Sequence, residues 1–167
     1  APIDAALALI VILLAVPFCR QVGLLRDALP ATAVALAVGG GVAVAGSLAL
    51  PLMQGAGPQL LATLAAKSAT TPVAVEITAR LGGVPGMTAV VVIATGVFGA
   101  AFGPAVLAWG RVRDPRAIGF ALGVAAHAIG TARAFQISDR AGAFASLGMI
   151  LNAGLMMTVL PLVLAGA

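Results

Sequence analysis

The chain has 167 residues, of which 62% are hydrophobic and 8% charged, and this composition excludes an ordinary water-soluble domain. The formal charge of +4 does not indicate a nucleic-acid partner, because the basic residues stand singly or in one cluster between apolar spans, as topology signals do. The absence of Tyr and the 21 glycines favour closely packed helices over a β-barrel. We therefore predict an all-α, polytopic transmembrane helical bundle that forms a single membrane domain over residues 1–167.

Residues 1–54 are predicted to hold the N-terminal helices. The apolar run Ile3–Val16 is short for a span of about 20 residues, and it lacks the basic start and cleavage site of a signal peptide. We expect it to be the second part of a helix in an N-terminally truncated chain. Cys19 is the single cysteine, so no intramolecular disulfide is expected. Pro30 predicts the start of a crossing over Ala31–Leu50, and Pro51 predicts its end.

Residues 55–110 are predicted to form a first hairpin followed by a crossing. The organising feature is a polar, proline-marked interruption, KSATTPVAVE, inside an otherwise apolar region. Polar residues there are costly unless they line a cavity or bind something. The predicted elements are a short helix over Gln59–Ala66, the interruption from Lys67, a second short helix over Pro72–Leu81 with Thr71 as its N-cap, and a crossing over Met87–Trp109.

Residues 111–167 are predicted to repeat this arrangement as a second hairpin plus a crossing. The segment begins with the only dense charge cluster of the chain, at Arg111–Arg116. The predicted elements are a short helix over Pro115–Ala126, a break over His127–Arg133, a polar turn over Ser138–Arg140 and a crossing over Gly142–Leu164.

The two interruptions align with a constant shift of 60 residues, so that Lys67 pairs with His127 and Arg80 with Arg140. A repeated interruption is typical of transporter halves. Each interrupted segment could cross as a broken helix or re-enter as a hairpin. If Arg20 and Arg26 are cytoplasmic, only re-entry also places the cluster at residues 111–116 in the cytoplasm, as the positive-inside rule favours. We therefore expect two hairpins that enter from opposite faces, related as an inverted repeat.

A helix that begins in mid-membrane directs unpaired N–H groups and the positive end of its dipole at the gap. Together with the Lys67 ammonium and nearby hydroxyls, this predicts a cavity for a small carboxylate. The predicted binding residues are Lys67, Ser68, Thr70 and Thr71 in the first interruption and His127, Thr131 and Arg133 in the second.

Several of these residues have alternative roles. Lys67 could be structural and pair with Glu76. Glu76 could be a proton carrier or the partner of Arg80 at i+4, and we favour the ion pair. His127 could couple protons or only satisfy a local hydrogen bond. Asp139 could neutralise Arg133.

Asn152, in the last predicted crossing, could hold helices together or bind a ligand hydroxyl. No second His, Cys or carboxylate stands at ligand spacing from His127, so no metal site is predicted. The sequence contains no nucleophile–base pair, phosphate loop or dinucleotide motif, so neither an enzyme nor a cofactor is predicted.

At these residues the chain resembles the LrgB (CidB-like) family. The resemblance rests on several motifs in order and is strongest after Ala65. They are KSATTPVAVEI from Lys67, GGVPGMTAVVVI from Gly82, FGAAFGP from Phe98, RDPRAIGFALGVAAHAIGTARA from Arg113 and GAFASLGMILN from Gly142.

The resemblance implies a multi-pass protein of the bacterial inner membrane that works with an LrgA/CidA-type membrane partner. One implied function is transport of a small organic anion such as glycolate, glycerate or pyruvate, and we expect this transport to be linked to protons through His127. The alternative is an antiholin- or holin-like regulator of murein hydrolase export and cell lysis, which requires a homo-oligomeric pore. The family also places substrate binding on the same seven residues.

Overall fold

The computed structural model describes residues 22–164, and the side chains of residues 30–162. The predicted apolar run Ile3–Val16 and Cys19 lie outside the described residues. The described part is helical throughout, which confirms the all-α prediction. Its helices are α1 (Val22–Met53), α2 (Pro58–Ala65), α3 (Thr71–Arg80), α4 (Pro85–Trp109), α5 (Pro115–Ile137) and α6 (Asp139–Leu164). By length and composition, α1 from Pro30, α4, α5 and α6 are long and apolar enough to cross a membrane, but α5 is interrupted at Ala126 and His127 and is not one continuous helix.

The boundaries of the first helix differ from the prediction. Helix α1 begins at Val22 and ends at Met53, so Pro30 and Pro51 lie inside it. A proline lacks the backbone N–H and bends a helix. In an apolar surrounding, however, backbone groups without a hydrogen bond are costly, so a bent but continuous helix is more favourable than a helix that ends at the proline. After Pro51 the helical bonding continues, since the Gln54 N–H donates to the Leu50 carbonyl at 3.2 Å.

Two other predicted boundaries move by a few residues. The N-cap of α3 is Thr70, with extended backbone angles, and Thr71 is already helical. Asp139 and Arg140 were predicted in a turn, but they form the first turn of α6. Asp139 is favourable there, because a carboxylate near a helix N-terminus interacts well with the helix dipole.

Helices α2 and α3, with the connection over residues 66–70, form the first hairpin. Three fully buried threonines show that its arms fold back on each other. The Thr88 hydroxyl on α4 donates to the Thr63 carbonyl of α2 at 2.9 Å and lies 3.0 Å from the Thr78 hydroxyl of α3. Thr63 and Thr78 are 15 positions apart and would be roughly 22 Å apart along one straight helix. The segment therefore does not continue as a broken helix.

Helix α5 forms the second hairpin. Its backbone leaves the helical region at Ala126 and at His127, where φ is 41° and ψ is −129°. After this break the chain returns along its own first half, since a Cβ added at Gly130 would overlap the Leu122 carbonyl oxygen. Asp114 before the hairpin also lies within electrostatic range of Arg140 after it. The two ends of the second hairpin therefore lie near each other.

The connectivity places the two hairpins at opposite ends of α4. The first hairpin ends just before Pro85, where α4 begins, and the second begins just after Trp109, where α4 ends. The arms of the first hairpin, of 8 and 10 residues, reach about 12–15 Å, which is half of a hydrocarbon core of about 30 Å. This is the arrangement of two opposed re-entrant hairpins.

The tightest packing joins the second hairpin to α6. Gly119 and Gly123 lie directly against the backbone of Ala141 and Ala145, so that no side chain fits between the two helices. Small residues of this kind allow close helix contact where lipid provides no hydrophobic driving force. The tip of the first hairpin packs elsewhere on α6, where Ala66 and Ala69 share a buried cluster with Met156. Helix α6 therefore contacts both hairpins.

Candidate functional site

The tips of the two hairpins meet at Asn152 on α6. The Asn152 side-chain amide donates to the Ser68 carbonyl at 2.8 Å and to the Val124 carbonyl at 3.3 Å. Ser68 lies in the tip of the first hairpin, and Val124 lies two residues before the break in the second. The Asn152 side chain is 1% exposed. One buried amide group therefore joins the two interruptions.

The bonding of Asn152 follows from the helix breaks. The last carbonyls before a helix end have no intrahelical partner, and in an apolar interior an unpaired carbonyl is costly. Ser68 lies between α2 and α3, and Val124 precedes the break at Ala126. The two N–H groups of one primary amide can satisfy both carbonyls.

The other polar atom of Asn152 remains unsatisfied. Its Oδ1 is buried without a hydrogen-bond partner among the described residues. It faces Gly40 of α1, where an added Cβ would lie 3.3 Å from this oxygen. A buried acceptor without a donor is costly, so this atom is available to a water molecule or to a ligand hydroxyl.

The predicted residues of the first interruption lie together at the hairpin tip. Ser68 is buried, and Lys67, Thr70 and Thr71 are half-buried. No side-chain hydrogen bond or ion pair joins Lys67 to another described residue. The Thr70 side chain does not cap α3, and the first bond of this helix runs from the Ala74 N–H to the Thr70 carbonyl. The tip thus carries a lysine four positions before the start of a helix that has no side-chain cap and whose dipole is positive at this end.

His127 forms the strained centre of the second interruption. Its φ of 41° is a conformation that non-glycine residues rarely adopt. The ring is buried, and its Nε2 lies 3.0 Å from the Val92 carbonyl of α4. Gly96, one turn further along α4, allows this contact, because a Cβ there would come within 2.6 Å of the ring. The buried Thr131 hydroxyl donates to the His127 carbonyl at 2.8 Å.

The remaining predicted residues lie away from the tips. Arg133 was predicted at a helix tip, but its side chain is exposed on the returning arm and bonds to Gln136 at 2.8 Å. Glu76 pairs with Arg80 at 2.8 Å on the exposed side of α3, so the structure contains the ion pair that we favoured and no Lys67–Glu76 pair. Asp139 is exposed at the start of α6, and it forms no ion pair with Arg133.

The arrangement brings one cation, one helix N-terminus and several hydroxyls close to a buried amide between two opposed hairpins. This set can hold a small anion by charge and by hydrogen bonds. Within the described part of the chain, no group of three His, Cys, Asp or Glu side chains is placed to hold a metal ion.

Asn152 was considered in the sequence but was not among the predicted binding residues. One signal could have selected it: it is an amide in an otherwise apolar crossing, and intramembrane polar residues are functional by default. The two carbonyl groups that accept its hydrogen bonds are 84 and 28 positions away in the chain. No local spacing of residues indicates contacts over such separations.

Comparison with known proteins extends this description. The chain is 32% identical over 151 residues to a protein of Haemophilus influenzae whose name assigns no function, covering 90% of this chain and 65% of that protein. It is 37% identical over 105 residues to the holin-like protein CidB of Staphylococcus aureus, covering 63% of this chain and 46% of CidB. The YxaC protein of Bacillus subtilis is 46% identical over 94 residues, covering 56% of this chain and 41% of YxaC.

The chain therefore spans about two fifths to two thirds of the length of these relatives. The comparison with solved structures found no match. Residues 1–165 match the LrgB-like family. Because this match extends over nearly the whole chain, the protein belongs to the LrgB-like family.

Proposed function

We propose that this protein is the anion-binding core of a membrane transporter for small organic carboxylates. One observation carries the proposal: the half-buried Lys67 has no side-chain bonding partner among the described residues and stands four positions before Thr71, where α3 begins without a side-chain cap. A charge held in this way is expensive in a membrane unless it serves a ligand. A carboxylate would neutralise it and accept hydrogen bonds from the adjacent N–H and hydroxyl groups.

The opposed hairpins suggest how such a ligand would move. In transporters built from inverted repeats, the substrate site lies at the midplane between interrupted helices, and one part of the protein rocks against the other. Here the anion would lie between the tip at Lys67–Thr71 and the break at His127. Movement that separates the hairpins would interrupt the bonds of Asn152, which join both tips.

We include four further elements in the proposal; the first is based on His127 and the other three on the family resemblance. The transport is linked to protons, for which the buried His127 is the candidate group. The protein acts with an LrgA-type membrane partner. It is located in the bacterial inner membrane. The substrates would be of the glycolate, glycerate or pyruvate type.

Uptake measurements test the proposal. The full-length protein, reconstituted into liposomes with and without its partner, is given radiolabelled glycolate or pyruvate at several pH gradients. We expect saturable uptake that Lys67→Ala removes. Arg80→Ala is the matched control, because it removes a cation from the same hairpin but outside the tip, and uptake should persist. Unchanged saturable uptake by the Lys67 variant would exclude this residue from the site.

The second candidate is a holin-like function, and it is favoured by the 37% identity to a protein named holin-like CidB. A pore of this kind needs oligomers but no stereospecific site. In the same liposomes it would release unrelated dyes without saturation. This release would be independent of Lys67, and that result would replace the transporter proposal.

A further inference from the structure

A groove at the end of the molecule opposite the first hairpin has an apolar interior and a charged mouth. It lies between the N-terminal half of α1 and the base of the second hairpin, with a volume of about 310 Å³. Ala35, Phe120 and Phe144 line its apolar part, and Asp114 and Arg116 line its mouth. A groove with this division of polarity fits an amphipathic molecule better than a water-soluble one.

The charged mouth is held in a defined geometry. Asp114 is the N-cap of α5 and accepts from the Arg116 backbone N–H at 2.9 Å. The same carboxylate binds the Arg116 guanidinium through Nε at 3.1 Å and Nη2 at 2.8 Å. Because a guanidinium has five N–H donors, Nη1 remains free to donate to an anion. Asp114 therefore orients Arg116 without using all of its donors.

Further positive charge stands close to the mouth in the chain or in space. The side chains of Arg111, Arg113 and Arg140 are exposed, and none of them has an ion-pair or hydrogen-bond partner in the described ranges. Arg140 also lies close enough to lower the pKa of Asp114, although the hydrogen bonds from Arg116 are the larger cause. At the other end of the molecule, Arg80 is neutralised by Glu76. Of the two ends of the described part of the molecule, the end that carries the groove is therefore the one with arginines that no carboxylate neutralises.

We propose that this groove binds an anionic phospholipid. The phosphate would bind Arg116, with Arg113 nearby, and the upper part of an acyl chain would pack over Ala35 and the two phenylalanines. Basic pockets between transmembrane helices are known to select anionic headgroups, and a guanidinium matches the geometry of a phosphate. A positive cluster beside an apolar groove, at one membrane face, supplies both parts of this recognition.

The bound lipid would also stabilise α1 against the rest of the bundle. Only 11% of the most apolar window of α1 is buried, so this helix has little packing of its own. A molecule that contacts Ala35 on α1 and Arg116 on α5 at the same time would link the two helices. The inference does not depend on the proposed transport function.

Native mass spectrometry of the detergent-solubilised full-length protein tests the inference. Phosphatidylglycerol and phosphatidylcholine with identical acyl chains are titrated, and bound lipid is counted. We expect a preference for phosphatidylglycerol. Each guanidinium near an anionic lipid contributes a factor of about five in affinity, so Arg116→Gln should weaken binding about fivefold and the double variant with Arg113→Gln roughly 25-fold. Arg80→Gln, at the opposite end, should leave binding unchanged.

A second pair of variants tests the apolar part of the groove. Ala35→Leu fills the groove without changing charge and should reduce phosphatidylglycerol binding, whereas Ala33→Leu, on an exposed position of α1 outside the groove, should not. Equal binding of the two lipids, or no effect of the arginine variants, would overturn the inference. Displacement of the lipid by an equal concentration of inorganic phosphate would assign the site to free phosphate and would also overturn it.

Discussion

Replacing Asn152 with leucine should loosen the contact between the two hairpins. The substitution keeps the number and the branching of the side-chain heavy atoms but removes the amide that donates to the Ser68 and Val124 carbonyls. Hydrogen bonds between transmembrane helices contribute about 0.6 kcal/mol on average and up to about 1.7 kcal/mol. Two lost bonds therefore predict a loss of about 1–3 kcal/mol. The loss of Oδ1 should not add to this cost and should offset a part of it, because this buried acceptor has no partner in the described residues and is itself unfavourable.

The assay is thermal unfolding in detergent, followed by circular dichroism. For a domain of this size each kcal/mol corresponds to roughly 2–4 °C in Tm, so the Tm should fall by about 2–12 °C. Thr158→Val is the matched control: Thr158 is exposed on the same helix and bonds only to its own helix, at 3.0 Å. Asn152→Asp should destabilise more than leucine, because it sets a second oxygen against two carbonyl oxygens. A leucine variant within about 1 °C of the wild type would refute the proposed role of the amide.

Three further predictions concern packing, topology and pH. Gly123→Ala should lower the free energy of unfolding by at least about 2 kcal/mol, because the added Cβ would overlap the α6 backbone. Gly46→Ala, which has open space around it, should be neutral or raise the free energy of unfolding by up to about 1 kcal/mol. Thermal unfolding distinguishes the two variants, and equal effects would contradict the close contact between α5 and α6. Single cysteines at Arg80 and Arg140 should be labelled by impermeant reagents from opposite sides of the membrane, and labelling from one side would contradict the opposed hairpins. The hydrogen bonds from Arg116 lower the pKa of Asp114 in the folded state, so the stabilisation by this carboxylate is present above its unfolded pKa of about 3.9 and is lost as the pH falls through the folded pKa. Asp114→Asn should therefore be less stable than the wild type at pH 7 and approach the wild-type stability in acid. A difference in Tm that stays constant across this pH range would count against the ion pair.

Much of the architecture was predictable from the residues because it depends on local composition. Apolar length identified the spans, and polar and proline residues identified both interruptions, at Lys67–Thr71 and at His127. The Glu76–Arg80 ion pair follows from their spacing on one helix. Prolines were less informative at the ends of α1, since Pro30 and Pro51 lie within it. In an apolar setting, the position of a helix end depends on whether the backbone N–H and C=O groups can form hydrogen bonds, as well as on the helix preference of the local residues.

The sequence by itself determined that this protein is a helical membrane protein with two polar helix breaks and a charged end, because composition and backbone preference are properties of the chain. The breaks alone did not determine where the chain goes next, since a break ends one helix without giving the direction of the following one; re-entry was favoured only by the distribution of arginines between the spans. That direction depends on contacts between residues far apart, such as Thr63, Thr78 and Thr88 in the first hairpin. Only the tertiary structure decided that Asn152 joins both tips and that Arg133 lies on an exposed arm. Both outcomes are set by packing, which the order of residues along the chain does not show.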